Sequence, residues 1–131
     1  MALKSKQLPR PTPAELEILR SLWQHGPSTV RDVQERLELE RPTGYTTVLK
    51  LLQIMTDKGL VRRDESARAH VYAATIPEEA TQKQLVRDLV DRAFGGSASQ
   101  LVLHALAARE TSRQDLARIR ELLDQIEGGT R

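Results

Sequence analysis

The sequence predicts a mainly α protein with a small β-hairpin wing: an N-terminal winged helix-turn-helix followed by a C-terminal three-helix dimerisation region. Three observations carry that reading. Between Thr12 and Gly59, three helix start signals follow one another, each with its own stop. Two short segments rich in β-branched and aromatic residues come next, around a polar tip. Beyond Pro77 the apolar residues recur only at helical spacing.

Residues 1–11 hold Lys4, Lys6, Arg10 and two prolines and read as a basic flexible arm. Thr12-Pro13-Ala14-Glu15 then supplies a Thr that can cap, a Pro at the first helical position and a Glu placed to complete a capping box. Leu16, Leu19, Leu22 and Trp23 follow at helical spacing and His25-Gly26-Pro27 stops them, which predicts a helix over 13–25. Thr29-Val30-Arg31-Asp32 repeats the box with Asp for Glu, and Val30, Val33 and Leu37 share one face of a short helix ending near Leu39. After the turn Glu40-Arg41-Pro42, Thr43 is expected to cap a third helix that runs to Lys58 and closes at Gly59. Its buried stripe is Val48, Leu51, Leu52 and Met55. Leu60–Arg63 and His70–Ala73 are the expected strands, with the tip Asp64 to Ala69 between them, and residues 12–76 form the winged-helix unit.

Pro77-Glu78-Glu79 opens a fourth helix carrying Leu85, Val86, Leu89, Val90 and Phe94, broken by Gly95-Gly96. Ser97 starts a fifth with Leu101, Val102 and Leu106, running to about Arg109. Thr111-Ser112-Arg113-Gln114-Asp115 signals a sixth, in which Leu116, Ile119, Leu123 and Ile126 recur like the a and d positions of a coiled coil. Three short amphipathic helices cannot bury all their stripes alone, and a second copy is the simplest cover. Leu85, Leu89, Phe94, Leu101, Leu116, Ile119, Leu123 and Ile126 are therefore the expected homodimer contacts within residues 77–127, with 128–131 as a flexible tail.

Composition removes several function classes. A chain of 131 residues, 39% apolar and 29% charged, reads as a soluble domain with at most a small appendage. The run Leu101-Val102-Leu103 breaks at His104, far short of the ~18 apolar residues of a membrane span, so no membrane insertion is expected. Met1 to Lys6 lead into no apolar signal segment, which predicts a cytoplasmic protein. Zero cysteines exclude disulfides, thiolate metal sites and a Cys nucleophile. His25, His70 and His104 lie on three different elements and read as surface or cap residues rather than metal ligands. No glycine-rich phosphate loop, nucleophile elbow or zinc-protease helix appears, so neither catalytic residues nor a cofactor is expected. Asp88 and Asp91 beside Arg87 and Arg92 read as a solvated helix face.

The formal net charge is only +2. Its distribution is more informative: residues 1–75 hold twelve Lys and Arg against nine Asp and Glu, and the remainder holds eight against nine. Thr43, Thr46, Thr47 and Lys50 lie mainly off the buried stripe of the third helix. Small hydroxyls at a helix N-terminus suit phosphate and base-edge contacts in a major groove, and three threonines within five residues are poor helix formers. Tyr45 is placed to touch DNA or to pack against the turn, while Lys50, Arg62, Arg63 and Arg68 can supply charge to phosphates. Two readings compete, and a third, a small hydrolase, is disfavoured by the missing nucleophile and metal motifs. One is a transcriptional repressor on double-stranded DNA; the other is a winged-helix protein-interaction module without sequence-specific DNA binding. Salt-sensitive binding to a duplex separates them.

An ordered set of segments resembles the BlaI/MecI/CopY family of bacterial penicillinase-type repressors. The set is Pro11 to Leu19, Leu22-Trp23, Gly26 to Val33, Gly44-Tyr45-Thr46-Thr47-Val48, Lys58-Gly59-Leu60-Val61, Arg68 four before Tyr72, and Phe94-Gly95-Gly96-Ser97. The resemblance spans roughly residues 9–127. It implies a homodimeric repressor that reads a pseudo-palindromic operator and controls an antibiotic- or stress-response operon. It also implies a membrane sensor protease as partner, with cleavage at the position of Ala93 and Phe94. This chain departs from the family pattern at Ile54, where many relatives carry a basic residue, at Ala67 in place of the wing glycine, and at Ala93 in place of Asn. The cysteine cluster of copper-responsive members is missing.

Overall fold

Thr12 starts the first helix as the sequence dictates. In the computed structural model, which describes residues 9–129, the Thr12 hydroxyl accepts from the Glu15 N–H at 3.2 Å while the Glu15 carboxylate accepts from the Thr12 N–H at 2.8 Å. Helix α1 is Pro13–His25, and Thr29 and Asp32 make the same reciprocal pair at the start of α2, Val30–Glu38. Two backbone donors are thereby satisfied at each helix entry. Most of the basic arm, residues 1–8, lies outside the described residues.

The third helix starts differently from expectation. Helix α3 is Tyr45–Lys58 and its N-cap is Gly44, with no side-chain cap. Thr43 lies one residue too early, since the first helical hydrogen bond runs from the Val48 N–H to the Gly44 carbonyl; its hydroxyl donates to the Arg41 carbonyl at 2.9 Å and its N–H to Glu38 Oε1 at 3.0 Å. At the other end Gly59 is left-handed with φ +81°, and the Leu60 N–H reaches back to the Met55 carbonyl at 2.9 Å. That closure turns Leu60 into the core, so strand β2 begins one residue later than expected, as Val61–Asp64. Strand β3 is Val71–Ala74, again one residue on.

The sheet has three strands where two were expected. Ser28–Thr29, here β1, pairs antiparallel with β3 through Ser28 with Tyr72 and Thr29 with Val71. The order is β1-β3-β2, with Val61 opposite Ala74 and Arg63 opposite Tyr72. A two-residue strand has no periodicity to read; it exists because Gly26-Pro27 carries the chain alongside β3.

Ile18, Leu19, Leu22, Val30, Val33, Val48, Leu52, Met55, Leu60, Val61 and Tyr72 form one core, with Leu51 half-buried at its margin. Ile18 is fully buried and Leu16 only half-buried, so the stripe of α1 lies slightly off the expected line. Polar clamps frame this core. Lys58 reaches Glu15 at 2.6 Å and joins the end of α3 to the start of α1. Arg36 donates to Ser21 at 3.2 Å and to Ser28 at 2.8 Å, tying α2 to α1 and β1. Trp23 Nε1 donates to the Ile76 carbonyl at 2.9 Å.

The chain divides into two compact units inside α4, Glu78–Ala93, between Val86 and Arg87. The second contains the end of α4, then α5, Ala98–Ala108, and α6, Arg113–Gly129. Gly95 and Gly96 both take positive φ, and the Gly96 N–H returns to the Val90 carbonyl at 2.9 Å. Ser97 caps α5 by accepting from the Gln100 N–H, and Ser112 accepts from Asp115 at the start of α6. Gly128 and Gly129, expected in the tail, close α6; residues 130–131 lie outside the described residues. Neither α5 nor α6 has a single buried residue.

Candidate nucleic-acid interface

One side of α3 is committed to the core through Val48, Leu52 and Met55, none of which has any exposed surface. Helical geometry then turns the intervening positions outward. Tyr45, Thr46, Thr47 and Lys50 are all exposed, and Gln53 and Ile54 continue the same surface toward the C-terminus. The outer face is therefore rigid at its root and polar at its first two turns. Thr43 sits just before it, half-buried in the turn, where the Gln34 amide also holds its carbonyl at 2.9 Å.

The wing sorts its three arginines. The Tyr72 hydroxyl, and then the Glu65 carboxylate at 2.5 Å, raise the affinity of Arg63 for its proton and engage its guanidinium. Arg62 is exposed, but strand alternation puts it on the sheet face away from Tyr72, where it lines a shallow groove with Trp23, Pro27 and Pro77. The structure does not bring it to the threonines of α3. Arg68, in the tip, is exposed and lines a groove of about 340 Å³ with Tyr45. Asp64 shapes that tip by accepting from the Ser66 N–H at 2.9 Å, a hydrogen bond that lowers the carboxyl's proton affinity.

Two further basic side chains line the same groove and were missed in the sequence. Arg31 comes from the first turn of α2 and His70 from the residue before β3. No local pattern marks them, since they meet only because Thr29 and Val71 pair across the sheet.

The expected dimer contacts lie on α4, α5, α6 and the α4–α5 junction. Leu85, Phe94, Leu101, Leu116 and Ile119 are half-buried, while Leu89, Leu123 and Ile126 stay about half exposed, at 46%, 52% and 55%. Phe94 packs on His104 with ring centroids 5.6 Å apart. Ala93 is the last, exposed residue of α4. Among the described residues no cluster of His, Asp and Glu could hold a metal ion, and no helix is long and apolar enough to cross a membrane.

The model of the penicillinase repressor family matches residues 11–125. The transcriptional regulator BlaI of Mycobacterium tuberculosis is 30% identical over 116 residues, covering 88% of this chain and 83% of that protein. A penicillinase repressor of Bacillus licheniformis is 22% identical over 120 residues, 92% of this chain and 94% of its own. Among solved structures, the DNA-binding domain of the repressor BlaI superposes with a TM-score of 0.50 at 26% identity, over 56% of this chain and 89% of that one.

Proposed function

We propose, for a chain that belongs to the penicillinase repressor family, a family of non-enzymatic DNA-binding transcriptional regulators, that it acts as a homodimer on a pseudo-palindromic operator. Residues 12–76 are the DNA-binding unit and residues 77–127 hold the dimer. The observation that carries the reading is the outer face of α3: Tyr45, Thr46, Thr47 and Lys50 stand exposed on a helix whose opposite side is locked into the core. A major groove admits such a helix, with threonine hydroxyls and methyls meeting base edges and lysine meeting phosphate. Dimerisation is supported by the open apolar faces of α5 and α6, which a second copy would cover.

Two recognition helices in one dimer would then sit about one DNA turn apart, ~34 Å, or a multiple of it. Binding selection from a random duplex pool tests the reading: it should return an inverted repeat, bound at physiological salt more tightly than a scrambled duplex. Equal affinity for both would refute it. We further assign the chain to the cytoplasm and to control of an antibiotic- or stress-response operon. Its relief would come from cleavage at Ala93–Phe94 after signalling by a membrane sensor protease. Cleavage there predicts that a 1–93 fragment binds operator much more weakly than the full chain, because two linked half-site contacts become independent. It also predicts loss of the intact chain on immunoblots of induced cells; persistence of the intact chain would rule this mechanism out.

A further inference from the structure

The groove between the start of α2, the first turn of α3 and the approach to β3 has a chemistry of its own. It is lined by Arg31, Arg68 and His70 together with Tyr45, Leu49 and Tyr72. No carboxylate lines it. Among the described residues none of the three basic groups has an ion-pair partner, whereas Arg41, Lys58 and Arg63 are each neutralised by a glutamate. Two guanidinium groups without an ion-pair partner beside tyrosine rings and aliphatic carbon match a sugar–phosphate unit, with the sugar against the rings and the phosphate against guanidinium. At the α2 start the Asp32 N–H is taken by the Thr29 hydroxyl and the Thr29 N–H by the Asp32 carboxylate.

We propose that this groove seats one backbone phosphodiester of the bound duplex, gripped by Arg31 from α2 and Arg68 from the wing, with His70 as a third donor. The proposal rests on the reading that α3 enters a major groove: Tyr45 belongs both to the exposed face of α3 and to this groove, so the strand bordering that face runs across it. Arg31 then contacts DNA from outside both the recognition helix and the wing, and fixes the register of α3 without reading sequence.

The test uses the full chain and the selected operator. Arg31→Ala should weaken operator and scrambled duplex by the same factor, about tenfold, and reduce the salt slope of log affinity by about one. Arg31→Lys should recover part of the loss. Single methylphosphonate substitutions, scanned along the backbone, should cost the wild-type chain affinity at one position per half-site that costs Arg31→Ala nothing further. An unchanged melting temperature for Arg31→Ala excludes damage to the fold. If the wild-type chain prefers its operator but Arg31→Ala matches it in affinity and salt slope, the groove is not a phosphate seat and the DNA-binding reading stands. Losses from Arg31→Ala and from every methylphosphonate that simply add would also overturn the assignment. If the wild-type chain shows no preference for any duplex, both readings fall together.

Discussion

Glu15 holds two contacts on one carboxylate. It accepts from the Thr12 N–H at 2.8 Å and from Lys58 Nζ at 2.6 Å, and the residue is 2% exposed. Burial pushes its carboxyl up, but the Lys58 ammonium and the Thr12 N–H and hydroxyl outweigh that and hold it below the ordinary glutamate value. A depressed folded value means stability that is present above the unfolded value of about 4.3 and is lost as pH falls through the folded one. Glu15→Gln should therefore cost about 2 kcal/mol at pH 7, and the gap from wild type should narrow at pH 3. Urea midpoints at the two pH values measure this, and an equal gap at both would contradict it. On the DNA side, Thr47→Ala should relax sequence preference by ~1 kcal/mol. Arg68→Ala should instead weaken operator and scrambled duplex alike and flatten the salt dependence. Titrations of both duplexes against each variant distinguish the two roles.

At the scale of elements, the glycines that bound α3 are not equivalent. Gly59 has φ +81° and nothing stands within 4 Å of where a Cβ would project, so a substitution there meets backbone strain rather than a neighbour. Gly44 sits at φ −78°, which any residue can adopt. Gly59→Ala should destabilise by about 1 kcal/mol. Gly44→Ser should stabilise by up to ~1 kcal/mol, by adding the missing cap and stiffening the unfolded chain. Thermal denaturation of the pair should move the midpoint in opposite directions; a shared direction would mean the helix ends are misassigned. The same contrast shows what was legible in the sequence. Helix α1 and both capping boxes could be read because their signals lie within four residues of one another. The start of α3 could not, because Thr43 has the composition of a cap but sits one residue before the N-cap, Gly44, with its hydroxyl turned to the Arg41 carbonyl. Strand β1 and the Arg31–His70 groove were hidden for a related reason: both come from pairing between segments about forty residues apart. The outward set Tyr45, Thr46, Thr47 and Lys50 was readable from period alone, whereas the facing of Arg62 needed the register of β2.

For the whole molecule, the second unit lacks a core of its own: among the described residues every buried apolar side chain lies at or before Tyr72. Hydrophobic burial scales with the apolar area removed from water, so α5 and α6 depend on what covers them. Ile119→Asp combined with Leu123→Asp should convert a dimer into a monomer, because a second copy would have to bury unpaired charge. Sedimentation at micromolar concentration reads the change, and a monomeric wild type would refute the dimer.

The hydrogen bond from Trp23 to Ile76 gives the chain an optical reporter. Trp23 is its only tryptophan, and it is anchored where the winged-helix unit ends. Indole emission will therefore follow the loosening of that unit, whereas far-ultraviolet dichroism will count α5 and α6 together with every other helix. In a dilution series, dichroism should drop at a concentration where emission is still native, and the separation between the two curves measures how far the recognition unit stands without its partner.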